Sequence, residues 1–332
     1  MDKELLQGAR NAVRVCMKVE SADRVFILTD KETMGIAQAL KDEARAVGAE
    51  TLCVSLEEFG PRPVTLLPDG LAKRLTLFIP TVTFYAATIK ENELGLRSGL
   101  INLVLGKLGA RHGHMPGISA QIMREGMRAD YYKVNELTMR VYESVRQAKT
   151  IHVTSADGTD FTAHFDGKFN WLPEGGLYHK PRSFGNLPEG EVLTCPASVE
   201  GVFTARVLGD YFSAKYGVLA HTLTLEIGDT QVKNVRGDQE YIAAELNAYL
   251  DSAENGRRIG EFAIGTNIGI QALCGNMLQD EKIPGVHIAT GDPLGFLTGA
   301  DWSSKVHVDA VNPRCTIKVD GKPLMKEGHY LI

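Results

Sequence analysis

The sequence RVFILTD, residues 24–30, is a short apolar run that predicts a buried strand. Residues 2–19 before it carry apolar side chains at helical spacing. Residues 31–47 after it form a second helical pattern that ends at Gly48. The run ETLCVSL, residues 50–56, then predicts another strand. Because helix and strand alternate, we expect an α/β fold with a parallel sheet flanked by helices.

The second half of the chain has a different pattern. Residues 150–166, TIHVTSADGTDFTAHFD, and residues 221–235, HTLTLEIGDTQVKNV, each predict two strands joined by a tight turn. One amphipathic helix is predicted over DQEYIAAELNAYLDSA, residues 238–253, with Asp238 as its N-cap. The remainder consists of short strands between Gly- and Pro-rich turns. We therefore expect a mainly β (α+β) second half.

A chain of 332 residues exceeds a comfortable single core, and a soft prior of about 150 residues per domain suggests two domains. A long helix is predicted from about Asp130 to Lys149, and the boundary is placed at its end. The prediction is a Rossmann-like α/β domain over residues 1–149 and a β-rich catalytic, metal-binding domain over residues 150–332.

Composition argues against several partners. The formal net charge of -5 and the pI near 6.0 give no electrostatic reason to expect nucleic acid or an anionic membrane as partner. The N-terminal residues lack the features of a signal peptide, and no apolar run approaches the roughly 20 residues of a membrane span. The five cysteines are single and far apart, which favours a reducing cytoplasm. Cys195 and Cys274 lie beside apolar residues, which indicates packing rather than nucleophilic chemistry.

Common catalytic and nucleotide-binding motifs are missing from the sequence. There is no G-K-[ST] phosphate loop, no G-x-G-x-x-G after the first strand, and no G-x-S-x-G elbow. A Rossmann-like topology without its fingerprint does not imply a nucleotide.

Acidic and imidazole residues occur in apolar settings in the second half. In VHVDAV, residues 306–311, strand alternation places His307 and Asp309 on one face and the valines on the other. Glu191, Glu261 and His287 are likewise flanked by apolar or glycine residues. Such carboxylates are costly to bury unless paired or bound to a cation, so the residues alone leave scattered ion pairs and a metal site both open. His287 alone is typical of a core histidine.

A second histidine pair lies outside these segments. His112 and His114, in RHGHMPG, are predicted to lie in a Gly/Pro loop without a nearby carboxylate, as structural residues or part of a substrate rim.

Several segments resemble, in chain order, motifs of the aminopeptidase T family of metallopeptidases. They are FGNLPEGEV, EFAIGTN, GNMLQDEK with GVHIATGD, SSKVHVDAV and the terminal VDGKPLMKEG. Weaker similarities in HMPGIS, GMRADY and GTDFT extend the resemblance over most of the chain.

The resemblance implies a metal-dependent aminopeptidase that removes N-terminal residues from small peptides with two divalent ions. By residue, it implies the ligands Glu191, Glu261, His287, His307 and Asp309. It also implies Glu261 as bridge or general base, and Glu281 or Glu261 as proton shuttle. Glu281 lies one residue farther from His287 than the matching residue in the family's peptidases. Nitrogen and oxygen donors without thiolate suit zinc, cobalt or manganese. A homodimer is expected from the resemblance alone.

Two features keep a different reaction open. The family's peptidases have a tyrosine seven residues after the histidine of HIA, where this chain has Leu294. Relatives of the same fold include a mononuclear iron(II) ring-cleaving enzyme of the 2,5-dihydroxypyridine dioxygenase type, and His287, His307 and Asp309 make up the facial set of such enzymes. That dioxygenase has histidine at the position matching Glu261, so the glutamate favours the hydrolase. A metal-free binding protein is the third alternative.

Overall fold

The computed structural model describes residues 2–209 and 211–332. They divide into two compact units. The first contains the described residues up to Lys133 together with Gly176–Glu189, and the second contains Val134–Gly175 and Gly190–Ile332. Among the described residues, no helix is both long and apolar enough to cross a membrane.

The helices are short and occur in both units. They are α1 (Lys3–Arg10), α2 (Met34–Ala46), α3 (Asp69–Phe78), α4 (Leu94–Ile101), α5 (Ala120–Arg124), α6 (Tyr131–Val145), α7 (Tyr211–Tyr216), α8 (Glu240–Asp251), α9 (Met277–Asp280) and α10 (Gly295–Thr298). Two π-helical segments, Asn11–Cys16 and Asn102–Lys107, continue α1 and α4, and 3₁₀ turns cover Leu56–Phe59 and Gly126–Arg128.

The strands build one sheet in the first unit and two in the second. They are β1 (Arg24–Thr29), β2 (Glu50–Ser55), β3 (Val82–Ala87), β4 (Arg111–Pro116), β5 (Thr150–Thr154), β6 (Asp160–His164), β7 (Leu172–Glu174), β8 (Phe184–Asn186), β9 (Glu191–Thr194), β10 (Ser198–Ala205), β11 (Val207–Leu208), β12 (Leu223–Gly228), β13 (Gln231–Arg236), β14 (Ile259–Gly265), β15 (Gly285–Gly291), β16 (His307–Pro313), β17 (Thr316–Val319), β18 (Lys322–Lys326) and β19 (His329–Tyr330).

The first unit has a parallel sheet with the strand order β2-β1-β3-β4-β8. Its central strands are apolar on both faces because helices cover both sides, as in α/β folds. Phe26, Leu28 and Tyr85 belong to one of its buried clusters. The α/β fold with a parallel sheet predicted from the alternation of helices and strands is confirmed.

The second unit contains two antiparallel sheets. One has the order β13-β12-β10-β6-β5-β17-β18-β19, and the other has the order β11-β16-β15-β14-β9-β7. Their apolar faces, together with α8, enclose one large buried cluster. The predicted hairpins are present as β5 with β6 and β12 with β13. The mainly β character of the second half is also confirmed.

The division between the units differs from the predicted boundary at residue 149. Val141 and Val145 of α6 lie in the buried cluster of the second unit, so most of that helix belongs there. In addition, β8 pairs with β4, which places residues 176–189 in the first unit. A single boundary in the sequence cannot describe these units, because the chain returns to the first unit at residues 176–189 before it continues in the second.

Two local predictions are wrong. Residues Arg111–Pro116 form the buried strand β4 rather than a loop, because β3 and β8 both provide hydrogen-bonding partners for that backbone. Helix α8 begins at Glu240 with Gln239 as N-cap, whereas Asp238 lies outside the helix with a carboxylate oxygen 3.4 Å from His221.

Candidate metal centre

Four adjacent strands of the six-stranded sheet, β9, β14, β15 and β16, carry the predicted ligands. Directly opposed residues of antiparallel strands share a face. The pairs Gly265 with Glu191 and Ala263 with His287 therefore put both site residues on the face of Glu261. The pairs of β15 with β16 add the remaining two. The structure brings all five to one face: Glu191, Glu261, His287, His307 and Asp309.

The opposite face of these strands is the core. Phe262, Ile288, Val308 and Ala310 alternate with the site residues and lie in the buried cluster. The alternation predicted for VHVDAV is thus present in the structure, with one face polar and one face packed. The packed face fixes the strands that carry the polar groups.

Glu261 lies at the centre of the polar cluster. Its Oε1 is 3.2 Å from Nε2 of His287, and its Oε2 is 3.7 Å from Nε2 of His307. The same His287 nitrogen is 3.6 Å from Oε2 of Glu191, and the His307 nitrogen is 3.5 Å from Oδ1 of Asp309. One carboxylate therefore faces both histidines.

A buried lysine completes the cluster. Nζ of Lys282 lies 2.5 Å from Oε1 of Glu191 and 2.9 Å from Oε1 of Glu281, and its side chain is 1% exposed. Its burial is not predictable from the sequence, because a lysine in the charged run QDEK is typical of a solvated surface.

The loop before this lysine is fixed by a buried carboxylate. Asp280 accepts hydrogen bonds from the backbone N–H groups of Cys274, Gly275 and Asn276, at 2.8, 2.7 and 3.1 Å. Since Glu281 and Lys282 follow Asp280 directly, this loop determines where their side chains enter the cluster.

Burial and neighbouring charges shift the pKa values of several side chains in the cluster. Burial raises the pKa of Glu191 to about 7, against the opposing charges of Lys282 and His287. Burial opposes protonation of His307, yet the neighbouring Asp309 carboxylate raises its pKa to about 10. In turn, burial alone would raise the pKa of Asp309, but the charge and hydrogen bond of His307 lower it to about 2. The buried acidic and basic groups of the cluster therefore set one another's protonation states.

His307 is oriented by the loop before its strand. Its Nδ1 lies 2.8 Å from the backbone oxygen of Asp292, so that nitrogen donates and Nε2 faces the carboxylates. The Asp292 side chain in turn accepts from the backbone N–H groups of Leu294 at 2.9 Å and Ser304 at 3.2 Å. Metal-ligating histidines in general donate their other ring N–H to an oxygen acceptor in this way. The His307 side chain is 30% exposed, which gives solvent access to this side of the cluster.

The side chains fit a divalent metal. Oε2 of Glu191 is buried and has no hydrogen-bond partner among the described residues, so the protein side chains alone do not satisfy all the carboxylate oxygens of the cluster. In the described parts of the chain, three sets of donor atoms lie within 4.8 Å of one another: Glu191, Glu261 and His287; Glu261, His307 and Asp309; and Glu281, His287 and Asp309. The two histidines fall in different sets, so the facial set of His287, His307 and Asp309 is not what the structure assembles.

The other residues discussed from the sequence are not among the donor groups of the polar cluster. Leu294 has a φ of 52° and is half-buried at the start of α10. His112 and His114 are buried in the first unit, 3.1 Å apart through Nε2 and Nδ1, and burial lowers the pKa of His112 to about 3. Burial raises the pKa of Cys195 to about 12, which keeps that thiol protonated, in agreement with a packing role.

Comparison with known families identifies the chain. A family model described as NicX, 2,5-dihydroxypyridine 5,6-dioxygenase, matches residues 129–331, which is more than half of the sequence and includes every residue of the polar cluster. The chain belongs to this NicX family. No curated protein matches the chain in sequence.

Two solved structures share the fold of this NicX family member over nearly their whole lengths. The 2,5-dihydroxypyridine dioxygenase from Pseudomonas putida KT2440 aligns with a TM-score of 0.70 and 17% identity, covering 98% of this chain and 96% of that chain. AmpT from Thermus thermophilus aligns with a TM-score of 0.70 and 19% identity, covering 99% of each. At these identities the likeness shows the fold alone. The fold expected from the resemblance to aminopeptidase T is confirmed, and the family model is that of the dioxygenase.

Proposed function

We propose that this NicX family member is a mononuclear dioxygenase that opens a hydroxylated aromatic or N-heteroaromatic ring. Its iron(II) ion would be held by Glu261, His307 and Asp309. The observation that carries the proposal is the family match over residues 129–331, which contains the whole polar cluster. In such a reaction a carbon–carbon bond of the ring breaks and both atoms of O₂ enter the product. Bound iron(II) supplies the one-electron chemistry that O₂ requires.

The geometry supports this set of ligands. Glu261, His307 and Asp309 offer donor atoms within 4.8 Å of one another, and only His307 of the three is substantially exposed. The set has one histidine and two carboxylates, so Glu261 stands where mononuclear iron enzymes with a facial set have a second histidine, and the three ligands would leave positions for substrate and O₂ on the exposed side. The backbone carbonyl of Asp292 holds the His307 ring in the required tautomer.

The test is oxygen consumption by the iron(II)-loaded protein in the presence of 2,5-dihydroxypyridine and a panel of other dihydroxylated rings. We expect uptake of one O₂ per ring opened, and loss of uptake in His307→Ala and Asp309→Asn. The control is His329→Ala, which removes an exposed histidine of the same unit and should leave uptake unchanged. Absence of uptake with every ring in the panel would refute the proposal.

A second candidate is a two-metal aminopeptidase, favoured by one observation. The two oxygens of Glu261 face different histidines, His287 and His307, which is how a carboxylate bridges two ions. In that case Glu191 and His287 would hold one ion, His307 and Asp309 the other, and Glu281 would move the proton. Release of leucine from a Leu-amide substrate by protein loaded with zinc, cobalt or manganese would support this candidate over the dioxygenase.

A further inference from the structure

Lys282 is a buried cation inside a cluster of carboxylates. Its side chain is 1% exposed, and its Nζ contacts Glu191 at 2.5 Å and Glu281 at 2.9 Å. A buried ammonium requires such partners, because transfer of an isolated charge out of water is very costly. The two glutamates are therefore already engaged by a positive charge that belongs to the protein.

We propose that the ammonium of Lys282 takes the place of a second metal ion and limits the centre to one divalent ion. It holds Glu191 and Glu281 as counterions and leaves Glu261, His307 and Asp309 to bind the metal. The inference deepens the proposed function, because it concerns the same centre, but it rests on the contacts of Lys282 and not on ring cleavage.

The first argument is competition for the same carboxylate. An ion held by Glu191 and His287 would use the carboxylate that Lys282 already contacts through Oε1. It would then lie close to a fixed positive charge in a site where Glu191, Glu261 and His287 have side chains at most 7% exposed. Like charges repel strongly at such positions because little water screens them.

The second argument comes from the two histidines. Ligating histidines generally donate their other ring N–H to an oxygen acceptor. His307 does so, through Nδ1 to the backbone oxygen of Asp292 at 2.8 Å. Nδ1 of His287 is buried and has no hydrogen-bond partner within the described residues. Of the two histidines, His307 is thus the one supported as a metal ligand.

The test is metal content per chain, measured by elemental analysis after loading with excess cobalt(II) or iron(II) and removal of free ion. We expect one ion in the wild type and two in Lys282→Glu, which removes the ammonium and adds a carboxylate. The matched control is Lys318→Glu, which makes the same change at an exposed lysine of the same unit and should keep one ion. Two ions in the wild type, or one ion in a folded Lys282→Glu variant, would overturn the inference.

A second variant covers the case in which Lys282→Glu does not fold. Glu191→Gln keeps the shape of the side chain and leaves Glu281 beside the ammonium. We expect it to retain one ion with less than about a 3-fold change in Kd, whereas Asp309→Asn should weaken binding by at least about 10 to 100-fold. If Glu191→Gln loses an ion or binds as weakly as Asp309→Asn, the inference fails.

Failure of this inference differs from failure of the proposed function. A wild-type protein that binds one ion but consumes no O₂ with any ring would refute the dioxygenase and leave the role of Lys282 intact. A protein that binds two ions and loses one in Glu191→Gln would refute the role of Lys282, whatever its reaction.

Discussion

The imidazole of His307 donates its Nδ1 hydrogen to the backbone carbonyl of Asp292 over 2.8 Å. The same Asp292 uses both carboxylate oxygens to hold the loop, through the backbone N–H groups of Leu294 and Ser304. The ring orientation of a proposed ligand thus depends on a side chain that is not itself a ligand.

Asp292→Ala should weaken metal binding without removing a ligand. Loss of both side-chain hydrogen bonds frees the loop, so the carbonyl no longer fixes the His307 ring. We expect Kd for the metal to rise about 10-fold, the lower end of the range for loss of a group that orients a ligand. Calorimetric titration of the metal-free protein measures this. Asp301→Ala, at a site whose side chain is 79% exposed, is the control, and equal Kd values for the two variants would contradict the account.

Metal binding should release protons and strengthen as pH rises. His307 has its pKa raised to about 10 by Asp309, and a protonated imidazole cannot coordinate a metal. At pH 7 the ion must therefore displace a proton, and affinity should increase from pH 6 towards pH 9. Titration in buffers with different ionisation enthalpies gives the number of protons released. An affinity that is constant over this range would contradict the account.

The buried ion pairs of Arg62 should contribute more to the free energy of unfolding than an exposed ion pair does. Arg62 contacts Asp30 and Glu93, and all three side chains are at most 6% exposed. Arg62→Met leaves two buried carboxylates without their cationic partner, which costs about 3–5 kcal/mol. Arg74→Met breaks an exposed pair with Glu58 and should cost at most about 1 kcal/mol. Urea denaturation of both variants measures the difference, and similar losses would argue against it.

Acid should destabilise the protein through His112. Burial lowers the pKa of His112 to about 3 in the folded state, below its unfolded value of 6.5. Its stabilising contribution is therefore complete above about pH 6.5 and is lost as pH falls towards 3, by up to roughly 1.4 kcal/mol per pH unit. We expect His112→Asn to be less stable at pH 7 but to lose less stability on acidification. The test is urea denaturation at a series of pH values, and parallel pH profiles would contradict it.

The sequence predicts the local parts of this structure well and the non-local parts poorly. The shared face of His307 and Asp309 follows from strand alternation alone, and the structure has it. Strand β4 is not predictable from its own residues, because Gly, Pro and His are weak strand formers and pairing with β3 and β8 overrides that preference.

The role of Lys282 is non-local in the same way. Its partner Glu191 lies 91 residues away in the chain, so no window around QDEK reveals that this lysine is buried. The resemblance to a peptidase family implies ligands that the structure brings into one cluster, and their role as ligands stays a prediction. It could not reveal that a protein ammonium already engages one end of the cluster.

The origin of the oxygen atoms in the product tests the central claim most directly. The iron(II)-loaded protein is supplied with a dihydroxylated ring under ¹⁸O₂, and the ring-opened product is analysed by mass spectrometry. The account predicts that both labelled atoms enter the same product molecule. Turnover that leaves no ¹⁸O in the product, so that the added oxygen comes from the unlabelled water, would show hydrolysis and contradict the account.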